Sequence, residues 1–126
     1  MFGAWVMLLG KGGRSALGRS IDYEANLWRP TLRFAFATGT TTRTGRPRRP
    51  SQEQVHRRAA NLQRLRNRVA HHEPIFNGIK APGTNRIVPL LVVWDETVEL
   101  LEWLCPDLAE VHRVERRVPD LVARRP

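Results

Sequence analysis

A single cysteine, Cys105, stands among 126 residues, so no disulfide can close within the chain and a reducing compartment fits. Lysine is nearly as scarce: Lys11 and Lys80 are the only two, yet the formal net charge is +9, and arginine supplies almost all of it. Apolar runs of membrane length are missing. The opening stretch from Phe2 to Leu9 has no basic leader, is followed by Lys11, Gly12, Gly13 and Arg14, and is too short to span a bilayer. A cytoplasmic protein without membrane association is therefore expected. There is no alternating β pattern, no internal repeat and no glycine-rich phosphate loop. His71, His72 and Glu73 are consecutive and diverge on a helix, and no fourth ligand is evident, so neither metal nor cofactor is expected.

What is present is an apolar fraction of 41%, which argues against a wholly disordered chain and suffices for a domain with a small core. The basic surplus has two readings. It favours a polyanion such as RNA, because each neutralised phosphate releases counterions. It also fits an arginine-biased genome whose product carries a solvated charged surface.

Phe2, Trp5, Val6 and Leu9 recur at helical spacing and predict a first amphipathic helix, which Gly10, Gly12 and Gly13 end. A second apolar segment runs from Ile21 to Phe36 and is expected to divide or kink at Pro30. Residues 38–50, rich in Thr, Gly, Pro and Arg, read as a basic flexible loop whose Arg46, Arg48 and Arg49 either touch phosphate or are merely solvated. Ser51 followed by Gln54 has the capping-box arrangement, and a long helix is predicted from there to about His72, where Pro74 expels Glu73 from the α region. A further helix is predicted over about Val88 to Cys105. Trp94, Val98, Leu101 and Cys105 line one of its faces, with Leu100 and Trp103 opposite, as for a helix buried on two sides. The tryptophans read as core rather than stacking platforms. Past Pro106 a short polar helix over Asp107 to Arg117 is expected. The fold class is all-α, with residues 1–106 as the domain and 107–126 as a polar basic C-terminal tail.

On a wheel at about 100° per residue, Val55, Ala59, Leu62, Leu65, Val69 and Ala70 form one stripe of the long helix, and Arg66 falls within it. A guanidinium there is costly unless it is paired or solvated by a cleft. Two explanations remain open: an ion pair with Glu99 or Glu102, or a donor fork aimed at phosphate in a polar cleft. Asn67 and His71 share another face, about 140° from Arg66 on an ideal helix. Arg66 and His71 thus converge only if the helix frays at its end or a second copy meets it across a two-fold axis, which favours a site at a dimer interface. Arg57, Arg64 and Arg68 make a basic stripe beside His71, suited to an RNA backbone or to plain solvation. His72 reads either as a second acid or base or as a donor at the helix end.

The run Leu65-Arg66-Asn67-Arg68-Val69-Ala70-His71-His72-Glu73-Pro74-Ile75-Phe76 resembles the signature of Abi-like (abortive infection) proteins of bacterial phage defence, members of the HEPN superfamily. Phe2-Gly3-Ala4-Trp5, Leu27-Trp28-Arg29-Pro30 with Phe34-Ala35-Phe36, and the Trp94-Leu101-Trp103 helix also look like that pattern. The resemblance runs from Phe2 to about Pro106 and is to the C-terminal portion of such proteins. It implies a HEPN-like helical bundle, N-terminally truncated. It further implies a toxin-like, metal-independent ribonuclease acting as a homodimer, with RNA as substrate and an antitoxin or regulatory RNA as a controlling partner. His71 would take the proton of a ribose 2′-hydroxyl, Arg66 would stabilise the phosphorane-like transition state, and Asn67 would orient His71 or a phosphate oxygen. Arg57, Arg64, Arg68 and His72 would bind RNA. Two further readings stand beside this one: a non-catalytic RNA-binding HEPN module, and an inactive fragment of a longer Abi-like protein. In HEPN toxins controlled by nucleotidyltransferase antitoxins a Tyr commonly stands two residues after the His; Glu73 occupies that place, so that mode of control is not supported.

Overall fold

In the computed structural model the chain is mostly helical, with five α-helices and three two-stranded hairpins among the described residues. Residues 2–36, 40–41, 47–81 and 83–124 are described, those at 40, 41, 47 and 48 by their backbone alone. The all-α expectation needs that correction. The ladders are two or three residues long, too short for alternation to register in the sequence. Residues 1–57 and 58–126 form two compact units, and the boundary falls inside the long helix.

In the first unit, helix α1 (Phe2–Leu8) buries Val6 and leaves Trp5 exposed, so Trp5 is not the core residue expected. Strands β1 (Gly12–Arg14) and β2 (Ser20–Asp22) pair antiparallel. Gly12, at φ +142°, is required there, because a Cβ would strike the Ile21 carbonyl oxygen. Pro30 divides the second apolar segment as expected, but into short turns: a π-helical turn over Glu24–Trp28 and a 3-10 turn over Leu32–Ala35. Asp22 helps start the first by accepting the Ala25 N–H at 3.0 Å. The rings of Trp28 and Phe36, both buried, lie 5.4 Å apart. In the segment expected to be a flexible loop, β3 (Thr40–Thr41) and β4 (Pro47–Arg48) form a two-residue ladder.

Helix α2 (Gln52–Ala70) begins with the predicted reciprocal cap. Ser51 Oγ accepts the Gln54 N–H at 3.2 Å, and the Ser51 N–H donates to Gln54 Oε1 at 2.8 Å.

In the second unit, β5 (Ile79–Lys80) pairs with β6 (Ile87–Val88), and α3 (Leu90–Leu104) follows. α3 is buried on two sides as expected, with Val93, Leu100 and Trp103 on one side and Val98 turned away from them. Two polar contacts tie it to the α2 residues of this unit. Arg58 donates from Nε (2.8 Å) and from a terminal nitrogen to Glu99 Oε2, while its guanidinium lies 4.6 Å from the Trp103 ring centroid. Asn61 Nδ2 donates to Glu96 Oε2 at 2.8 Å. The short polar helix expected after Pro106 is α4 (Pro106–Glu115), and α5 (Arg117–Ala123) follows it. Ala109 is fully buried, and Arg113 pairs with Glu102 at 2.6 Å, which raises the arginine's pKa further through that hydrogen bond and charge. Among the described residues no helix is long and apolar enough to cross a membrane.

Candidate nucleic-acid interface

Burial along α2 changes with position. Val55, Arg58, Ala59, Ala60 and Asn61 are buried, Leu62 and Leu65 are half-buried, and Arg66, Asn67, Val69 and Ala70 are exposed. The apolar stripe therefore loses its cover toward the C-terminus. Arg66 is consequently not a guanidinium inside a greasy face. It reaches solvent, and the contact it makes is a 3.3 Å hydrogen bond from a terminal nitrogen to Asn67 Oδ1. Neither the expected ion pair with Glu99 nor that with Glu102 involves Arg66: Glu99 holds Arg58, and Glu102 holds Arg113.

The helix ends in a Schellman motif. The Glu73 N–H donates to the Arg68 carbonyl at 2.8 Å and the His72 N–H to that of Val69 at 3.1 Å, with His72 left-handed at φ +55°. His71 sits one residue before this reversal, its N–H still bonded to the Asn67 carbonyl at 3.0 Å, its side chain exposed. Helix geometry is thus kept up to His71 without fraying, and within one chain Arg66 and His71 stay about 140° apart.

Beside this helix end a cleft of about 580 Å³ opens between the second half of α2 and the β5–β6 hairpin. Arg64, Asn67, Arg68, Glu73, Lys80 and Ile87 are among its walls. Both arginines also brace the hairpin: Arg64 donates to the Lys80 carbonyl at 2.9 Å and Arg68 to the Gly78 carbonyl at 3.0 Å. Arg68 Nε lies 3.1 Å from Glu73 Oε2, though without hydrogen-bond alignment. Gly78, at φ +86°, lets the chain pass close to β6, since a Cβ would collide with the Val88 carbonyl oxygen.

The structure thus brings Arg64, Asn67 and Arg68 into one concavity. Arg66, His71 and His72 are exposed outside its walls, and Arg57 is exposed on the part of α2 that belongs to the first unit. The phosphate contact expected of Arg46 and of the Arg48 side chain lies outside the described residues. Arg49 stands 4.9 Å from the exposed ring of Phe34, which Arg33 also approaches at 4.6 Å. Sequence reasoning passed over Lys80 and Ile87, although the Pro82-Gly83 dipeptide between them is a turn signal that could have revealed the hairpin. Comparison with protein-family models, with curated proteins and with solved structures finds no significant match for this chain.

Proposed function

We propose that the chain is a metal-independent RNA endonuclease of the HEPN type, serving phage defence or a toxin system, in which two copies of α2 build the site. The observation that carries this reading is the C-terminal end of α2. Arg66 and His71 are both exposed there, and among the described residues no carboxylate lies within ion-pair distance of either. Exposed Ala70 lies between them on the helix surface, and Val69, 53% exposed, flanks Arg66 on its other side as uncovered apolar surface. A guanidinium held on the surface keeps its donor fork for a phosphate, and an imidazole is a group able to take and return a proton. Because the two residues diverge on one helix, Arg66 of one copy would serve the phosphate that His71 of the other activates. His71 takes the 2′-hydroxyl proton, the oxygen attacks the adjacent phosphorus, and Arg66 stabilises the charge that develops on the phosphoryl oxygens. Asn67, bonded to Arg66, positions that guanidinium. Arg57, Arg64, Arg68 and His72 contribute contacts to the RNA backbone.

The test is cleavage of single-stranded RNA in EDTA. The unaltered chain cleaves, Arg66→Ala and His71→Ala do not, and mixing the two variants restores activity because mixed dimers carry one intact composite site. Cleavage by both variants alone would end the proposal. The bracing of the hairpin by Arg64 and Arg68 favours a second reading, a non-catalytic RNA-binding module. It predicts salt-sensitive RNA binding with no products from any variant.

A further inference from the structure

The cleft between α2 and the β5–β6 hairpin carries an inference that rests on the RNA reading for its source but not for its chemistry. Three of its walls are cationic, Arg64, Arg68 and Lys80, against the single carboxylate of Glu73, which already lies beside Arg68. Each arginine is seen to commit one terminal nitrogen to a hairpin carbonyl, out of five N–H donors on a guanidinium. The Lys80 ammonium is exposed and, among the described residues, has no carboxylate partner. Ile87, 47% exposed, gives the cleft an apolar wall, and Asn67, whose Oδ1 accepts from Arg66, and Asn77 line it as well.

An anion of small size would leave that apolar wall unused, and a fatty acid would leave the amides unused. A flat apolar body with hydrogen-bonding edges and an attached phosphate uses all three. The volume, about 580 Å³, lies within the range of small-molecule sites. We propose that this cleft binds one ribonucleotide, with the phosphate at Lys80 and the arginines, the base against Ile87, and the base edge read by Asn67 and Asn77. The nucleotide is either free or one unit of a bound RNA strand.

The experiment titrates the full-length chain with each 5′-ribonucleoside monophosphate and with inorganic phosphate, following the backbone amide resonances of Gly78, Lys80 and Ile87. Saturable shifts with a nucleotide, at least about tenfold tighter than with phosphate, are expected, a tenfold ratio being about 1.4 kcal/mol. Lys80→Ala and Ile87→Glu should each weaken the nucleotide at least about fivefold. Both positions are exposed, and an unchanged thermal melt confirms that either variant still folds. Equal binding of phosphate and nucleotide, or nucleotide affinity unmoved by both substitutions, overturns the proposal. A short oligonucleotide that the monophosphate displaces assigns the site to a unit of RNA; one that it does not displace assigns it to a free nucleotide. Arg66→Ala with His71→Ala keeps the RNA intact and leaves the cleft walls unaltered. Cleavage by the unaltered chain without nucleotide binding therefore sinks only the cleft, and nucleotide binding without cleavage sinks only the nuclease.

Discussion

Replacing Arg58 with Ala removes the most deeply placed charge of the second unit. Arg58 is 8% exposed and donates twice to Glu99, whose side chain is 35% exposed. Hydrogen bonds to a charged group contribute about 1.5–3 kcal/mol, and breaking a fully buried pair costs about 3–5 kcal/mol by stranding the partner. Glu99 can hydrate through its exposed third, which lowers that cost. The lost contact with the Trp103 ring adds about 0.5–2 kcal/mol. A net loss of about 3 kcal/mol follows, about 10 °C in Tm for a chain of this size. Urea unfolding of Arg58→Ala, Glu99→Ala and the double variant measures it. The cycle should return a coupling of about 1.5–3 kcal/mol, and Arg58→Met with Glu99→Leu should recover most of the loss, since apolar pairs of similar volume replace buried ion pairs at little cost. A loss below about 0.5 kcal/mol for Arg58→Ala would show that the pair does not fasten α2 to α3, because substitutions at uninvolved surface positions fall within that margin.

Other outcomes follow from the same contacts. Arg66→Ala and His71→Ala, both at exposed positions, should change unfolding free energy by less than about 0.5 kcal/mol while abolishing RNA cleavage. His72→Gly relieves a left-handed conformation and should stabilise the chain by about 1 kcal/mol in urea melts, while weakening RNA affinity in a filter-binding assay if His72 touches the backbone. Gly78→Ala must push the chain entering β5 away from β6, and a loss of at least about 1–2 kcal/mol is expected by the same measurement. Ser51→Ala removes half of the reciprocal cap and should cost about 1 kcal/mol.

The parts of the fold that local chemistry decides were legible in the sequence. The Ser51/Gln54 cap, the division at Pro30 and the two-sided burial of α3 each depend on neighbours within a turn or on a repeated pattern. The hairpins were not, because ladders of two or three residues leave no alternation, and only Pro82-Gly83 marks one of them by composition. Choosing the anomalous arginine also exceeded the wheel. Arg58 lies three residues after Val55 and four before Leu62, so the stripe offers it as readily as Arg66. What separates them is tertiary: α3 brings Glu99 to Arg58, and nothing comparable covers Arg66.

That difference also decides what each arginine is able to do. At Arg58 the carboxylate and the indole ring have already replaced water, so the guanidinium is committed to holding α3 and has little left to offer a ligand. Arg66 lies two turns later, where the stripe has lost its cover, and its contact is a long hydrogen bond from one nitrogen to a neutral amide, which leaves its other donors to a phosphate. Arg64 and Arg68, two residues to either side of Arg66, take an intermediate state: each spends a donor on a hairpin carbonyl yet still lines the cleft. The grading among these arginines, from part-buried ion pair to braced cleft to open surface, makes separable demands. Substitution of Arg58 should move stability with little specific effect on RNA. Substitution of Arg66 should move chemistry without stability, and substitution of Arg64 or Arg68 should move both. A variant series across positions 58, 64, 68 and 66 that moved melting temperature and RNA cleavage in constant proportion would contradict that separation, because one cause, loss of fold, would then explain every loss of activity.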